Sequence, residues 1–151
     1  MTPSRSSGGP FRRLRRGDEG QALAEMAILL PVLMLLVVGI IEMSNAWRTF
    51  QVVTNAAREG AREGVLATSD ETDIRTRVQR SLEGGGVAYD PDLVTVQCFS
   101  ADGTFIGDGA CSGSGQEVRI RIDQPFTFRV LGVLADLVPI TITSTTAMRN
   151  E

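Results

Sequence analysis

The chain has 151 residues with fifteen Arg, no Lys, no His and two Cys, and its formal net charge is −3. Without His there is no imidazole ligand, no Ser-His-Asp triad and no His general base, and two Cys cannot build a structural zinc site unaided. Charge is uneven: residues 1–20 hold five Arg against Asp18 and Glu19, net +3, whereas the remaining ten Arg face sixteen acids, net −6, a bulk with no electrostatic footprint for nucleic acid.

Met1–Gly20 is rich in Ser, Gly, Pro and Arg and has no apolar periodicity, so it reads as a disordered basic leader. Met26–Ile41 follows, sixteen residues without a charge; extended back to Gln21 the run has 21 residues and only Glu25 is charged. At ~1.5 Å per helical residue it spans the ~30 Å hydrocarbon layer. Residues 21–42 therefore read as a transmembrane helix, and the Arg-rich leader places the N-terminus in the cytoplasm and residues 43–151 outside. A secretory signal peptide would have a shorter apolar region with an A-x-A exit, which Ser44-Asn45-Ala46 imitates poorly.

Two residues stand out in this segment. Glu25 lies in the first turns, where a carboxylate is costly unless it sits at headgroup depth or meets a cationic partner. Pro31 removes an internal hydrogen bond and loosens or kinks the helix.

From Glu42 the helix continues outward. Met43, Trp47, Phe50, Val53, Ala57 and Ala61 recur at steps of three and four and predict one buried stripe. Trp47 also suits the membrane interface. Gly60 and Gly64 either admit close packing by a sheet or second helix, or loosen the helix end. Ser69 or Asp70 caps a second helix with Ile74, Val78 and Leu82 inward, and Glu83-Gly84-Gly85-Gly86 stops it.

The period then becomes two. Val94, Val96 and Cys98, then Val118, Ile120 and Ile122, then Val138, Ile140 and Ile142 predict three half-buried antiparallel strands with one face on the long helix. Phe126 and Phe128 extend the second, with Pro125 at a bulge or edge. Leu131–Leu137 reads as a short apolar crossover. Cys98 and Cys111 bracket a Gly- and Ser-rich loop, and in an exported domain a disulfide is the default reading over free thiols. The fold class is α+β: a long N-terminal transmembrane helix leading into a small antiparallel sheet domain. Asp90, Asp92, Asp102 and Asp108 lie among Gly, Pro and Ser, where turns explain them better than catalysis.

The arrangement Gly20-Gln21-Ala22-Leu23-Ala24-Glu25 resembles a prepilin cleavage site: a basic leader ending in Gly, then an apolar helix with Glu at the fifth mature position. Gly17 does not fit, because the fifth residue after it is Ala22. The wider pattern, Gly20 to Pro31 and on through Gly39-Ile40-Ile41-Glu42, is similar to the TadE-like family of the Tad (Flp) pilus system. Asn55-Ala56-Ala57-Arg58-Glu59-Gly60 and the closing Thr143–Arg149 are also similar to it. Gln21 departs from the apolar or aromatic residue common at the first mature position.

The resemblance implies a pilin-like fold and a non-enzymatic minor pilin or pseudopilin, without cofactor or metal, that serves pilus assembly or the tip and adhesion. A prepilin peptidase cuts between Gly20 and Gln21, and Glu25 and Pro31 act in assembly with other pilins, Tad platform proteins and membrane lipid. The amino terminus freed at Gln21 meets Glu25 of a neighbour and sets register. The alternative is an unprocessed single-span membrane protein with an extracytoplasmic binding domain, for which Gly20 has no use.

Overall fold

The computed structural model describes residues 16–66, 69–128 and 140–150. Helix α1 (Arg16–Gly64) is followed by α2 (Glu71–Gly84), a 3₁₀ turn (Pro91–Leu93) and strands β1 (Val94–Phe99), β2 (Phe105–Asp108), β3 (Glu117–Phe126) and β4 (Ile140–Arg149). The strands form one antiparallel sheet in the order β2-β1-β3-β4. This is the α+β class that the change of period predicts. The chain divides into two units, Met1–Ile40 and Ile41–Glu151.

In the first unit α1 begins at Arg16, so the last turn of the leader is helical rather than disordered. The helix runs on through Pro31.

In the second unit the core is a single apolar layer between the helices and one sheet face. It joins Val53, Ala56, Ala57 and Ala61 of α1 to Ile74, Val78 and Leu82 of α2. Val94, Val96, Cys98, Val118, Ile120 and Ile122 complete it from the sheet. The inward residues of β1 and β3 are those that alternation picks out. Val94 faces Ile122, Val96 faces Ile120 and Cys98 faces Val118 across the ladder.

The buried stripe of α1 departs from the prediction in its first half. Met43, Trp47 and Phe50 are exposed, whereas Glu42 is buried, and Ala46 and Thr49 are partly buried. The inward face is thus Glu42, Ala46, Thr49, Val53, Ala56 and Gly60, displaced by one residue at its start. Both stripes satisfy the helical period, and apolar character alone selects the wrong one. Trp47 and Phe50 instead form an outward aromatic pair with ring centroids 5.7 Å apart.

Gly60 and Gly64 take the close-packing alternative. A Cβ at Gly60 would lie 2.5 Å from Val78 Cγ2 and 2.8 Å from Ile120 Cδ1, and one at Gly64 would lie 2.9 Å from Val118 Cγ1. Both α2 and β3 press on the helix backbone there.

Asp70 caps α2: its side chain accepts from the Asp73 amide, and the Asp73 side chain accepts from the Asp70 amide. At the other end Gly85 meets Val52, whose Cγ1 would be 2.3 Å from a Cβ, and Gly86 takes a left-handed φ of +76°. Arg48 donates to the Gly85 carbonyl, which fastens this turn to α1. Arg75 pairs with Glu71 at 2.7 Å and also donates to the carbonyls of Pro91 and Val94, so α2 holds the entry to β1.

The sheet has two further departures. Strand β2 falls in the segment expected to be loop, joined to β1 by a turn in which Ser100 and Asp102 bond locally to Thr104. Strand β4 runs to Arg149, beyond the predicted third strand, and buries Ser144 while leaving Ile140 exposed. Val138 and Leu131–Leu137 lie outside the described residues. Phe126 ends β3 and Phe128 lies beyond it. Pro125 pairs with Thr141, but the β1 ladder stops at Ile122, so its missing N–H faces no strand there. On the outer face Asp123 accepts from Arg121 and Thr143, which hold its carboxyl below the usual range.

Cys98 and Cys111 are joined in a disulfide, both buried, with Cα atoms 5.4 Å apart. It ties β1 to the segment that leads into β3, closing a loop that contains β2.

Two measurements test this packing. Gly60→Val, which adds three carbons where none fits, is expected to lower the stability of the detergent-solubilised chain by about 1–3 kcal/mol in denaturant unfolding. Replacing both cysteines by Ser is expected to cost about 3 kcal/mol on the chain-entropy model, with an unfolding midpoint that no longer responds to reductant. An unchanged midpoint in either case contradicts the packing described.

Candidate assembly and processing site

The N-terminal part of α1 is apolar around its whole circumference. Apart from the half-buried Val38, its large side chains range from 43 % exposed at Val37 to 72 % at Leu23, and only 6 % of its most apolar window is buried. A core helix of a soluble protein would be covered. Among the described residues, this is the one helix long and apolar enough to cross a membrane, as expected of a single-pass membrane protein.

Gly20, Gln21 and Glu25 lie at the head of this segment. Gly20 is helical and exposed, and a Cβ there would meet nothing within 4 Å. The fold therefore does not require glycine at this position. Gln21 and Glu25, one turn apart, lie on one face, and the Gln21 side-chain amide donates to Glu25 Oε1 at 3.2 Å. Sequence spacing brings these three together; the hydrogen bond was not legible in it. Pro31 lies further along the same helix, and its ring nitrogen leaves the Ala27 carbonyl without its helical donor. Arg12, Arg13 and Arg15 of the leader lie outside the described residues.

Of the acids weighed for catalysis, Asp90 and Asp102 are occupied by turns, Asp92 lies in the 3₁₀ turn, and Asp108 falls not in a turn but at the end of β2. Asp90 accepts from the Asp92 amide to start the 3₁₀ turn. Asp102 accepts from the Thr104 amide and from Ser100, and these bonds hold its carboxyl below the usual range. In the second unit a cavity of about 140 Å³ is lined by Glu42, Asn45, Arg48, Thr49, Val52 and Phe126, among others. It is below the ~300 Å³ where small-molecule sites begin. Sequence reasoning missed the burial of Glu42, since a charge at the end of an apolar run reads as a membrane boundary. The clue that existed is its place four residues before Ala46 and seven before Thr49.

No curated protein and no solved structure matches this chain. Residues 20–62 match the model of the TadE-like protein family, so this stretch of α1, from Gly20 through the close-packed Gly60, is similar to that family, as the resemblance implies.

Proposed function

We propose that this chain is a minor pilin or pseudopilin of a Tad (Flp) pilus, made as a precursor and cut after Gly20 by a prepilin peptidase. The TadE-like match associates the chain with the Tad pilus. The observation that carries the finer reading is where that match begins. It starts at Gly20, leaves out the basic leader, and covers the helix in which Glu25 is the fifth residue of the mature chain.

In this reading the leader holds the N-terminus in the cytoplasm, residues 21–42 anchor the chain in the inner membrane, and residues 43–151 lie outside. The cut falls inside a helix, so the peptidase must first unwind a turn. Gly20 helps, being a poor helix residue by about 1 kcal/mol relative to Ala. After the cut the apolar segment exchanges lipid for the like helices of other pilins and of the Tad assembly platform. Little hydrophobic energy changes hands, because lipid and helix are similarly apolar. Specificity then falls to Glu25. A carboxylate within an apolar segment is costly unless it is partnered, and the amino-terminal N–H of a neighbouring copy relieves that cost at one register only.

The test is the N-terminal sequence and mass of the membrane-extracted protein from cells with and without the peptidase. The mature chain is expected to begin at Gln21, and Gly20→Ala is expected to retain its leader. An intact leader in peptidase-positive cells would sink the reading and leave an unprocessed, membrane-anchored binding domain. Glu25→Ala is expected to be cut as well as the wild type yet to be lost from the sheared-pilus and platform fractions. Normal recovery there would remove Glu25 from assembly.

A further inference from the structure

We propose that, once the leader is removed, Gln21 closes on itself and the mature chain begins with a pyroglutamyl lactam. The inference rests on the processing reading above. Glutamine at an amino terminus carries its own electrophile, a side-chain amide carbon that its α-amine reaches through a five-membered ring. Such tethering is worth effective concentrations of about 10⁵–10⁸ M in well-oriented cases.

The structure supplies two favourable features. In the precursor the Gln21 nitrogen lies inside α1, where its helical acceptor is the carbonyl of Gly17. The cut removes both that acceptor and the acyl group of Gly20, and leaves a free amine. The second feature is the bond from Gln21 Nε2 to Glu25 Oε1 at 3.2 Å. A carboxylate already rests against the nitrogen that must depart.

The step balances without any co-reactant. The α-nitrogen bonds to Cδ, the Cδ–Nε2 bond breaks, and ammonia leaves. Glu25 takes the proton that the amine sheds and returns it to Nε2, so it ends in its starting state. The lactam keeps one N–H but has no charge. What a neighbour's Glu25 meets is then a neutral donor, which can enter an apolar helix bundle without the desolvation penalty of an ammonium. This also gives a reason for Gln at a position where the resemblance leads one to expect an apolar residue.

The chain is extracted from peptidase-positive cells and its N-terminal peptide is weighed and sequenced. The expected chain is lighter by one ammonia than a Gln21-initiated one and is blocked to stepwise degradation. Pyroglutamyl aminopeptidase then exposes Ala22, and Gln21→Ala yields a free amine. In parallel, a full chain whose leader is released in detergent by an added protease, leaving Gln21 first, reports the rate of ring closure. Glu25→Gln is expected to slow it about tenfold or more. A mature chain of full mass with a free Gln21 amine overturns the lactam and leaves processing standing. An uncut chain overturns processing and, with it, the lactam in the cell. Equal rates for Glu25→Gln and wild type in the released chain overturn the part given to Glu25.

Discussion

Three elements meet at Gly60, and no side chain fits between them. The backbone of α1 there touches Val78 of α2 and Ile120 of β3 at distances that a Cβ would violate. The rest of the domain follows from that approach. Ala56, Ala57 and Ala61 keep the helix surface thin on either side, so the branched residues of α2 and the sheet supply nearly all the core volume. Gly64 repeats the arrangement one turn later against Val118. A helix with Leu at these places would stand farther from the sheet and leave the Val and Ile rows of β1 and β3 partly wet. The small residues that weaken α1 as an isolated helix are therefore what lets it serve as a wall of the core.

The same helix meets two different demands along its length. Over residues 26–41 its surface is apolar on every side and, apart from the half-buried Val38 and Gly39, exposed, a condition that only lipid or other apolar helices can satisfy. Beyond Glu42 it carries a buried stripe, with Arg58, Arg62, Gln51 and Asn55 on other faces. Polar groups near the change are arranged accordingly. Arg48 reaches the Gly85 carbonyl, Glu42 is buried, and Trp47 and Phe50 turn outward where a membrane surface would receive them.

Legibility in the sequence followed the physics of each signal. Strands β1 and β3 were readable because their buried positions are Val, Ile and Cys, and α2 was readable because Asp70 and a triple glycine mark its ends. Strand β2 carried no such pattern: three of its four residues are exposed, so it has no apolar face to show a period. In β4 the inward row includes Ser144 and Thr146, chemically like the outward Thr143 and Thr145, and alternation vanishes. The first half of the α1 stripe misled for the opposite reason, since Met43, Trp47 and Phe50 are apolar yet exposed. The resemblance to a processing site is local, a matter of spacing from Gly20 to Glu25. The hydrogen bond between Gln21 and Glu25 depends on side-chain conformation, and no spacing reveals that.

What the acids do sets Glu25 apart. Asp70 and Asp73 cap α2, Asp90 and Asp102 form turns, Glu71 and Glu59 pair with arginines, and Asp123 ties Arg121 to Thr143. Each of these carboxylates has work inside the fold. Glu25 bonds only to the exposed Gln21 among the described residues, and no core contact depends on it. Yet it lies at the head of an apolar segment, where a carboxylate is costly unless it meets a partner. A costly group with no task in its own fold finds its compensation in a partner, and the partner must present a donor at the depth of Glu25. If the chain is cut as proposed, the amino terminus one turn before Glu25 is, within a set of like helices, the group already at that depth. In the proposed reading, cleavage after Gly20 and the carboxylate at position 25 belong to one device.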